Sequence, residues 1–136
     1  MQGIAEQKEP VGLRHLTSRE KAALSEFVAR LRARYADKVM LVVLFGSKVR
    51  GDFDEESDVD VLVVVEGDDR WPYWRAITDL TSDLLLDYEV NMSALVFDEQ
   101  HYQWLAEHRT PIYNNTTREG VPIWMKERDE SSLRYA

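Results

Sequence analysis

Apolar residues recur at a helical spacing early in the chain. Thr17 and Glu20 have the spacing of a capping box, in which the threonine caps a helix and the glutamate reaches back to it. The apolar positions that follow are three or four residues apart, which predicts an amphipathic helix ending near Asp37. Its expected buried face comprises Leu24, Phe27, Val28, Leu31 and Tyr35.

Two continuous apolar runs come next. The first, from Val39 to Phe45, is rich in β-branched residues and is typical of a strand covered on both faces; Gly46 ends it. The second extends from Val59 to Val65 and is interrupted only by Asp60. Because about 13 residues separate the two runs, we expect neighbouring strands joined by an elaborate loop instead of a tight hairpin.

The second half of the chain returns to helical spacing. Asp68 and Asp69 are placed to cap a helix that tolerates Pro72 in its first turn. Its expected apolar face comprises Trp74, Ile77, Leu80, Leu84 and Tyr88. The remaining pattern predicts a strand over about 89–97, a helix over about 99–107, a helical stretch between Thr110-Pro111 and Gly120, and a short extended segment over 121–124.

These elements predict a single mixed α/β (α+β) domain with a small mixed β-sheet flanked by helices. We expect residues 1–16 to be a flexible N-terminal lead-in, residues 17–125 to be the folded domain and residues 126–136 to be a C-terminal tail.

Charge is concentrated in one part of the chain. The 136 residues include 17 Lys and Arg against 25 Asp and Glu, a formal net charge of −8. Nine of the acids lie between Gly51 and Asp69, where there is no Lys or Arg; the rest of the chain holds 17 basic and 16 acidic residues. The acidity is therefore local, and it makes direct nucleic-acid binding an unfavourable interpretation, since that needs a basic face.

Composition excludes several other classes. Cysteine is absent, which removes disulfides, thiol nucleophiles and cysteine-based zinc sites. No apolar run approaches the length of a membrane span, and Met1 to Pro10 is too polar for a signal peptide, so we expect a cytoplasmic protein with no membrane contact.

The candidate chemistry lies between the two apolar runs. At Gly46-Ser47 a backbone without a Cβ can approach a ligand, while the hydroxyl and following N–H groups can hold a phosphate. Ten residues later, Asp58 and Asp60 flank Val59, and the period of two in a strand places both carboxylates on one face. The two carboxylates of such a pair repel each other unless a cation lies between them. The segment therefore predicts Mg²⁺-dependent phosphoryl or nucleotidyl transfer.

The motif resembles the Gly-Ser-x10-Asp-x-Asp signature of the DNA polymerase β-like nucleotidyltransferase superfamily, with Gly46-Ser47 followed, after ten residues, by Asp58-Val59-Asp60. With Arg50-Gly51-Asp52, the longer pattern is similar to its minimal single-domain branch, the MNT proteins. The similarity covers roughly residues 20–125, including the stretch from Ser93 to Gln100 and the tail from Arg109 to Val121.

The resemblance implies a nucleotidyltransferase fold that binds one or two Mg²⁺ ions and ATP. Many members are antitoxins paired with a HEPN-domain toxin, and some transfer AMP to a tyrosine of that toxin. Carried over to this chain, Gly46 and Ser47 would contact nucleotide phosphates, and Asp58 and Asp60 would bind metal as the catalytic pair. Arg50 matches the family's basic position in the loop, and either a phosphate or the acidic loop is its expected partner.

This chain departs from the family at the third carboxylate, which active members carry on the next core strand. Aligning on Phe97-Asp98-Glu99 places Ser93 there. Glu89 shares the strand parity of Ser93, but it lies about 13 Å away along an extended strand. Whether Glu89 or Ser93 substitutes stays open, and without a third carboxylate we expect metal and nucleotide binding to survive while catalysis weakens.

Three hypotheses follow. The first is an enzyme that transfers AMP from Mg-ATP to a hydroxyl of a partner protein, as an antitoxin acting on a HEPN toxin. The second is a catalytically weak antitoxin or regulatory subunit that acts by binding and occlusion, with its acidic loop docked on a basic partner surface. The third is a nucleotidyltransferase for a small molecule such as an aminoglycoside.

Other conspicuous residues have plainer interpretations. The Gly46-Ser47 segment matches neither a serine-hydrolase elbow nor a P-loop. Lys48 is expected at the surface, with contact to a phosphate left open. The three histidines lack metal-ligand spacing and are expected to be surface or packing residues; they are His15, His101 and His108. Aromatic residues that could form an exposed partner patch are Tyr73, Trp74, Tyr102 and Trp104.

Overall fold

The structure is a computed structural model that describes residues 13–52, 54 and 57–126. Its helices are α1 (Ser18–Tyr35), α2 (Ser47–Arg50), α3 (Trp71–Tyr88), α4 (Glu99–Glu107) and α5 (Pro111–Glu119). Its strands are β1 (Val39–Phe45), β2 (Val59–Val65), β3 (Met92–Asp98) and β4 (Val121–Met125). This order confirms the predicted mixed α/β fold. No helix in the described ranges is long and apolar enough to cross a membrane.

The strands form one mixed sheet in the order β3-β2-β1-β4. β1 pairs antiparallel with both β2 and β4, and β2 pairs parallel with β3. The two apolar runs of the sequence are therefore the central strands, each buried along nearly its whole length. This agrees with the expectation that continuous apolar strands are covered on both faces.

Helices cover the two faces of the sheet unequally. On one face α1 and α3 pack over the odd-numbered residues of β2, with Phe27, Ile77 and Leu84 almost fully buried. On the other face α4 and α5 pack over Leu62 and Val64 and form a smaller cluster. Asp60 has the same parity as Leu62, so its side chain belongs to the less covered face.

Helix α1 begins as the sequence predicts. The Thr17 hydroxyl accepts from the Glu20 N–H at 3.0 Å, and the Thr17 N–H donates to the Glu20 carboxylate at 2.9 Å. The helix ends at Tyr35 and a short 3₁₀ turn carries the chain to β1, so the predicted end near Asp37 falls in that turn.

Two predicted boundaries are wrong. Helix α3 is N-capped by Arg70, although the Asp69 carboxylate still accepts from the Trp71 N–H at 3.1 Å. Strand β3 begins at Met92 instead of Glu89, because Glu89 caps the end of α3 in the left-handed conformation (φ 57°). A residue in that conformation turns the chain away from the helix and cannot belong to an extended strand.

Candidate active site

The sheet brings the two halves of the candidate motif together. In the β1–β2 register, Phe45 lies opposite Asp60, so the chain leaves β1 beside the start of β2. The two-residue period predicted for Asp58 and Asp60 is consistent with the burial of Val59, which is 1% exposed and points into the core. The acidic pair and the Gly46-Ser47 turn thus occupy one end of the two central strands.

Gly46 allows the closest approach in the site. Its φ of +89° is a conformation that residues with a Cβ rarely adopt, and a Cβ placed there would collide with the Asp60 Oδ2. The Gly46 carbonyl accepts from the N–H groups of Val49 and Arg50 at 3.0 and 3.2 Å, which starts the single turn of α2. Glycine is therefore required both by the backbone and by the neighbouring carboxylate.

Electrostatics around Asp60 favour a bound cation. Partial burial is the main cause that raises the pKa of Asp60, and the negative charge of Asp58 raises it further. The positive charge of Arg50 acts in the opposite direction. A positive ion between the two carboxylates would relieve both unfavourable effects.

Ser93 is the residue that the family pattern predicts in place of the third carboxylate, and the structure shows where it lies. The parallel register places Ser93 directly beside Asp60, and Ser93 is exposed. Glu89 lies outside β3, and its carboxylate is paired with Arg19 at 3.1 Å. The structure thus places a serine, not a glutamate, next to the acidic pair.

The donor set suits magnesium that is shared with a substrate. Among the described residues, no group of three or more His, Asp or Glu side chains is placed to hold a metal by itself. Mg²⁺ in nucleotide sites is commonly held by one or two carboxylates, with phosphate oxygens and water completing its shell. Asp58 and Asp60 meet that requirement, and the neighbouring Gly46 leaves room beside them.

Arg50 is held by acids of two different segments. Its Nε donates to Asp52 at 3.0 Å, and one terminal nitrogen donates to Glu119, at the end of α5, at 2.8 Å. These two hydrogen bonds raise the pKa of Arg50. The sequence left either a phosphate or the acidic loop as the partner of Arg50, and the structure shows Asp52 of that loop. Glu119 is an additional partner that no local pattern indicated.

Lys48 is not the surface residue that the sequence suggested. Its side chain is 7% exposed, and its Nζ forms an ion pair with Glu20 Oε2 at 2.8 Å. Glu20 therefore serves two purposes, since its other oxygen closes the α1 capping box. The capping box was visible in the sequence, but nothing in the local pattern indicated that the same glutamate reaches α2.

The remaining conspicuous residues separate into two groups. His15 packs against Gly51, whose φ of +90° follows α2 in the left-handed region. Tyr102 is buried between α4 and α5, and burial is the main cause that raises its pKa to about 12. Trp74 and Trp104, by contrast, are 42% and 48% exposed, so two of the four aromatic residues proposed for a partner patch lie at the surface.

Comparison with known sequences finds relatives of this chain. A family model described as a nucleotidyltransferase domain matches residues 24–116. A Methanocaldococcus jannaschii protein with the provisional name protein adenylyltransferase is 42% identical over 105 residues, which cover 77% of this chain and 98% of that protein.

Comparison with solved structures shows the same fold. A provisionally named nucleotidyltransferase from Sulfolobus solfataricus has a TM-score of 0.55 at 19% identity, covering 89% of this chain and 93% of that one. A toxin–antitoxin structure with AMP-PNP has a TM-score of 0.50 at 19% identity, covering 75% and 73% of the two chains.

Proposed function

Because the chain belongs to the nucleotidyltransferase domain family, we propose that it transfers AMP from Mg-ATP to a hydroxyl group of a partner protein. The observation that carries the proposal is the contact between Gly46 and Asp60, which joins the two halves of the motif in one site. The relative that is 42% identical, and named for protein adenylylation, supports a protein as the acceptor. We propose that the activity takes place in the cytoplasm, where ATP is abundant.

In this proposal each residue of the site has a separate role. The Gly46-Ser47 turn receives the triphosphate, since no Cβ obstructs it and the Ser47 hydroxyl can donate to a phosphate oxygen. Asp58 and Asp60 hold Mg²⁺, which when bound neutralises the phosphates and polarises the α-phosphorus. Arg50 lies near enough to Asp60 to lower its pKa and can exchange Asp52 or Glu119 for a phosphate.

The proposed reaction is a displacement at phosphorus. The acceptor oxygen forms a bond to the α-phosphorus while the bond to the bridging oxygen breaks, so pyrophosphate leaves and AMP remains on the acceptor. The proton of the acceptor hydroxyl passes to water. Ser93 beside Asp60 supplies no carboxylate base, so we expect slow turnover.

We propose further that the acceptor is a tyrosine of a HEPN-domain toxin, with this chain as the antitoxin. The motif from Gly46 to Asp60 supports this, because it resembles the antitoxins of such pairs. The alternative is neutralisation by occlusion, which Ser93 in the place of the third carboxylate favours.

Intact-mass measurement tests the proposal. The chain is incubated with Mg-ATP and a HEPN-domain protein, the first choice being one encoded by an adjacent gene, and we expect that protein to gain AMP. D58N/D60N should abolish the gain, whereas D79N/D83N, which removes two exposed acids of α3 outside the site, should retain it.

The same variants separate the two mechanisms. If the partner gains no AMP and D58N/D60N still neutralises it, the enzyme proposal is wrong and occlusion is correct. If D58N/D60N binds the partner without neutralising it, occlusion is wrong.

A further inference from the structure

A row of aromatic rings, three of them exposed tryptophans, crosses the outer edge of the sheet at the end of β3 away from the candidate active site. It starts on α3, where Trp71 and Trp74 meet edge to face with ring centroids 5.8 Å apart. It continues through Phe97 on β3 and ends on α4. The His101 ring centroid lies 5.3 Å from that of Phe97, and the Trp104 centroid lies 6.2 Å from that of His101. We name these five residues, together with Arg70, the aromatic belt.

Arg70 joins the two halves of the belt. Its guanidinium lies 4.9 Å from the Trp71 ring centroid and 5.8 Å from that of Phe97, within cation–π range of both. The same guanidinium donates to the Val96 carbonyl at 3.3 Å. The belt is therefore a connected surface whose side chains hold one another in place, and not a set of scattered aromatic residues.

All three tryptophans of the belt are exposed. Trp71 is 59% exposed, and Trp74 and Trp104 are each more than 40% exposed. Leu95, on the edge strand between the site and Phe97, is 38% exposed. Contiguous exposed aromatic residues bordered by charge are typical of protein-interaction sites, where tryptophan and arginine contribute most of the affinity.

The charge around the belt indicates the chemistry of its partner. A cleft of about 440 Å³ beside His101 and Trp104 is also lined by the carboxylates of Asp68 and Asp98. Asp69 adds a further exposed carboxylate at the start of α3. Because Arg70 is already engaged with two rings and the Val96 carbonyl, the charges left at the rim of the belt are acidic, and a surface with an apolar centre and a rim of Lys and Arg complements both the rings and the charge.

The position of the belt connects it to the reaction. It lies along β3, the edge strand, and Ser93 of that strand is the neighbour of Asp60. Ser93 and Phe97 are four residues apart, or about 13 Å along the strand. A folded partner that covers both the belt and the start of β3 can therefore present a hydroxyl group at the carboxylates.

We infer that the aromatic belt is the docking surface for the acceptor protein, which binds it with an apolar surface rimmed by Lys and Arg. The inference rests on the proposed function and adds to it where the acceptor binds.

Binding measurements with W71A/W74A test the inference. The probe is the same HEPN-domain protein that is used in the AMP-transfer test, and we expect W71A/W74A to weaken its binding by at least about 30-fold, as for loss of interface hot spots. L86A is the matched control, because Leu86 on the same helix is 79% exposed but lies outside the belt; its affinity should match the wild type. Mg²⁺ and AMP-PNP should raise the Tm of all three proteins equally.

Three outcomes overturn the inference in distinguishable ways. If the wild type transfers AMP and W71A/W74A binds the partner unchanged, the belt is not the docking surface and the proposed function stands. If light scattering shows a wild-type dimer that W71A/W74A converts to a monomer, the belt joins two copies. If the wild type neither binds nor modifies the probe, the HEPN partner of the proposed function is wrong and the inference falls with it.

Discussion

At the scale of single residues, the site depends on a glycine whose missing side chain leaves space for a carboxylate. Gly46 and Gly67 both have φ near +90°, but a Cβ on Gly46 would overlap the Asp60 carboxylate, whereas a Cβ on Gly67 would meet nothing within 4 Å. Substitutions at these two glycines therefore help to separate the cost of the backbone conformation from the cost of placing a side chain against Asp60.

We expect G46A to lose more stability than G67A, which should lose about 1 kcal/mol, because the Gly46 backbone (φ 89°, ψ −159°) lies in a region essentially restricted to glycine and the Asp60 carboxylate must also move. Only G46A should also lose the rise in Tm produced by Mg-ATP, since the displaced carboxylate no longer faces the turn. Thermal unfolding with and without Mg-ATP measures both effects. An undiminished rise for G46A would show that nucleotide binding does not need this approach.

Lys48 illustrates a residue whose role depends on a distant contact. Removing its charge leaves Glu20, whose side chain is only 14% exposed, without its 2.8 Å ion-pair partner. We expect K48M to cost about 2 kcal/mol of unfolding free energy, since an unpaired carboxylate with little access to water is unfavourable.

The matched control for K48M is K38M. Lys38 pairs with Glu66 at 3.7 Å, and both of those side chains are about half exposed, so K38M should cost less than about 0.5 kcal/mol. Urea unfolding of the two variants gives the comparison, and E20Q/K48M should recover part of the loss. Equal costs for K48M and K38M would contradict a buried role for the Lys48–Glu20 pair.

At the scale of the elements, the register of β2 and β3 determines what can join the acidic pair. Ser93 is the partner of Asp60 on the same face, and Leu95 lies one further position along that face. We expect S93D to bind Mg²⁺ several-fold more tightly, because a third carboxylate joins the cluster, and to be less stable than the wild type without Mg²⁺.

The control for S93D is L95D, which adds the same charge about 7 Å further along the strand. Calorimetric titration with Mg²⁺ should give L95D an affinity close to that of the wild type. If S93D and L95D bind Mg²⁺ equally well, the effect is a general one of charge, and the register does not place Ser93 at the metal.

The packing of α4 against α5 predicts a sensitivity to alkaline pH. Burial raises the pKa of Tyr102 to about 12, and the charge of Tyr113 contributes in the same direction, while a hydrogen bond with Thr117 lowers it. The folded state therefore keeps the phenol proton at pH values where the unfolded chain releases it. The unfolding free energy should fall from about pH 10 upwards and lose about 2 kcal/mol by pH 12.

Y102F has no phenol to ionise and should lack this part of the alkaline loss. Urea unfolding of both proteins at pH 9 and pH 11.5 measures it as a difference of differences, so that other groups cancel. A similar loss in Y102F would place the alkaline sensitivity elsewhere in the molecule.

The elements themselves were largely predictable because burial leaves a periodic pattern in the sequence. The central strands and α4 have the predicted limits, since continuous apolar runs and the Asp98 cap mark them locally. Glu89 was misplaced because its left-handed backbone is a consequence of how α3 meets β3. Trp74 continues the apolar period of α3 and yet is exposed, because periodicity does not show where a helix projects beyond the sheet edge.

The candidate site was predictable to the same extent. The register places Asp60 of β2 opposite Phe45, the last residue of β1, as the motif spacing implied. The two halves of the motif meet because β1 and β2 are adjacent strands joined by a single loop. The bond from Arg50 to Glu119 and the pair of Lys48 with Glu20 could not be predicted, since their partners are 69 and 28 positions away in the chain. Such contacts are decided by how the helices pack.

At the scale of the whole molecule, the net charge of −8 comes from one segment near both the site and the belt. A cluster of charges of one sign near a binding surface raises the association rate constant of a partner of the opposite sign. The contacts that exclude water in the complex mainly set its dissociation rate constant. The acids beside the belt and the tryptophans within it should therefore control different rate constants for a basic partner.

We expect D68N/D69N to lower the association rate of the HEPN-domain partner by about threefold to tenfold at low salt, with little change in its dissociation rate. W71A/W74A should instead raise the dissociation rate. The control D79N/D83N removes the same charge from exposed positions of α3 outside the belt and should have a smaller effect. Surface-binding kinetics at 50 and 300 mM NaCl measure all four proteins, and the D68N/D69N deficit should shrink at the higher salt because the charges are screened. A deficit that persists at high salt, or appears only in the dissociation rate, would mean that the two acids make direct contacts and do not attract the partner from a distance.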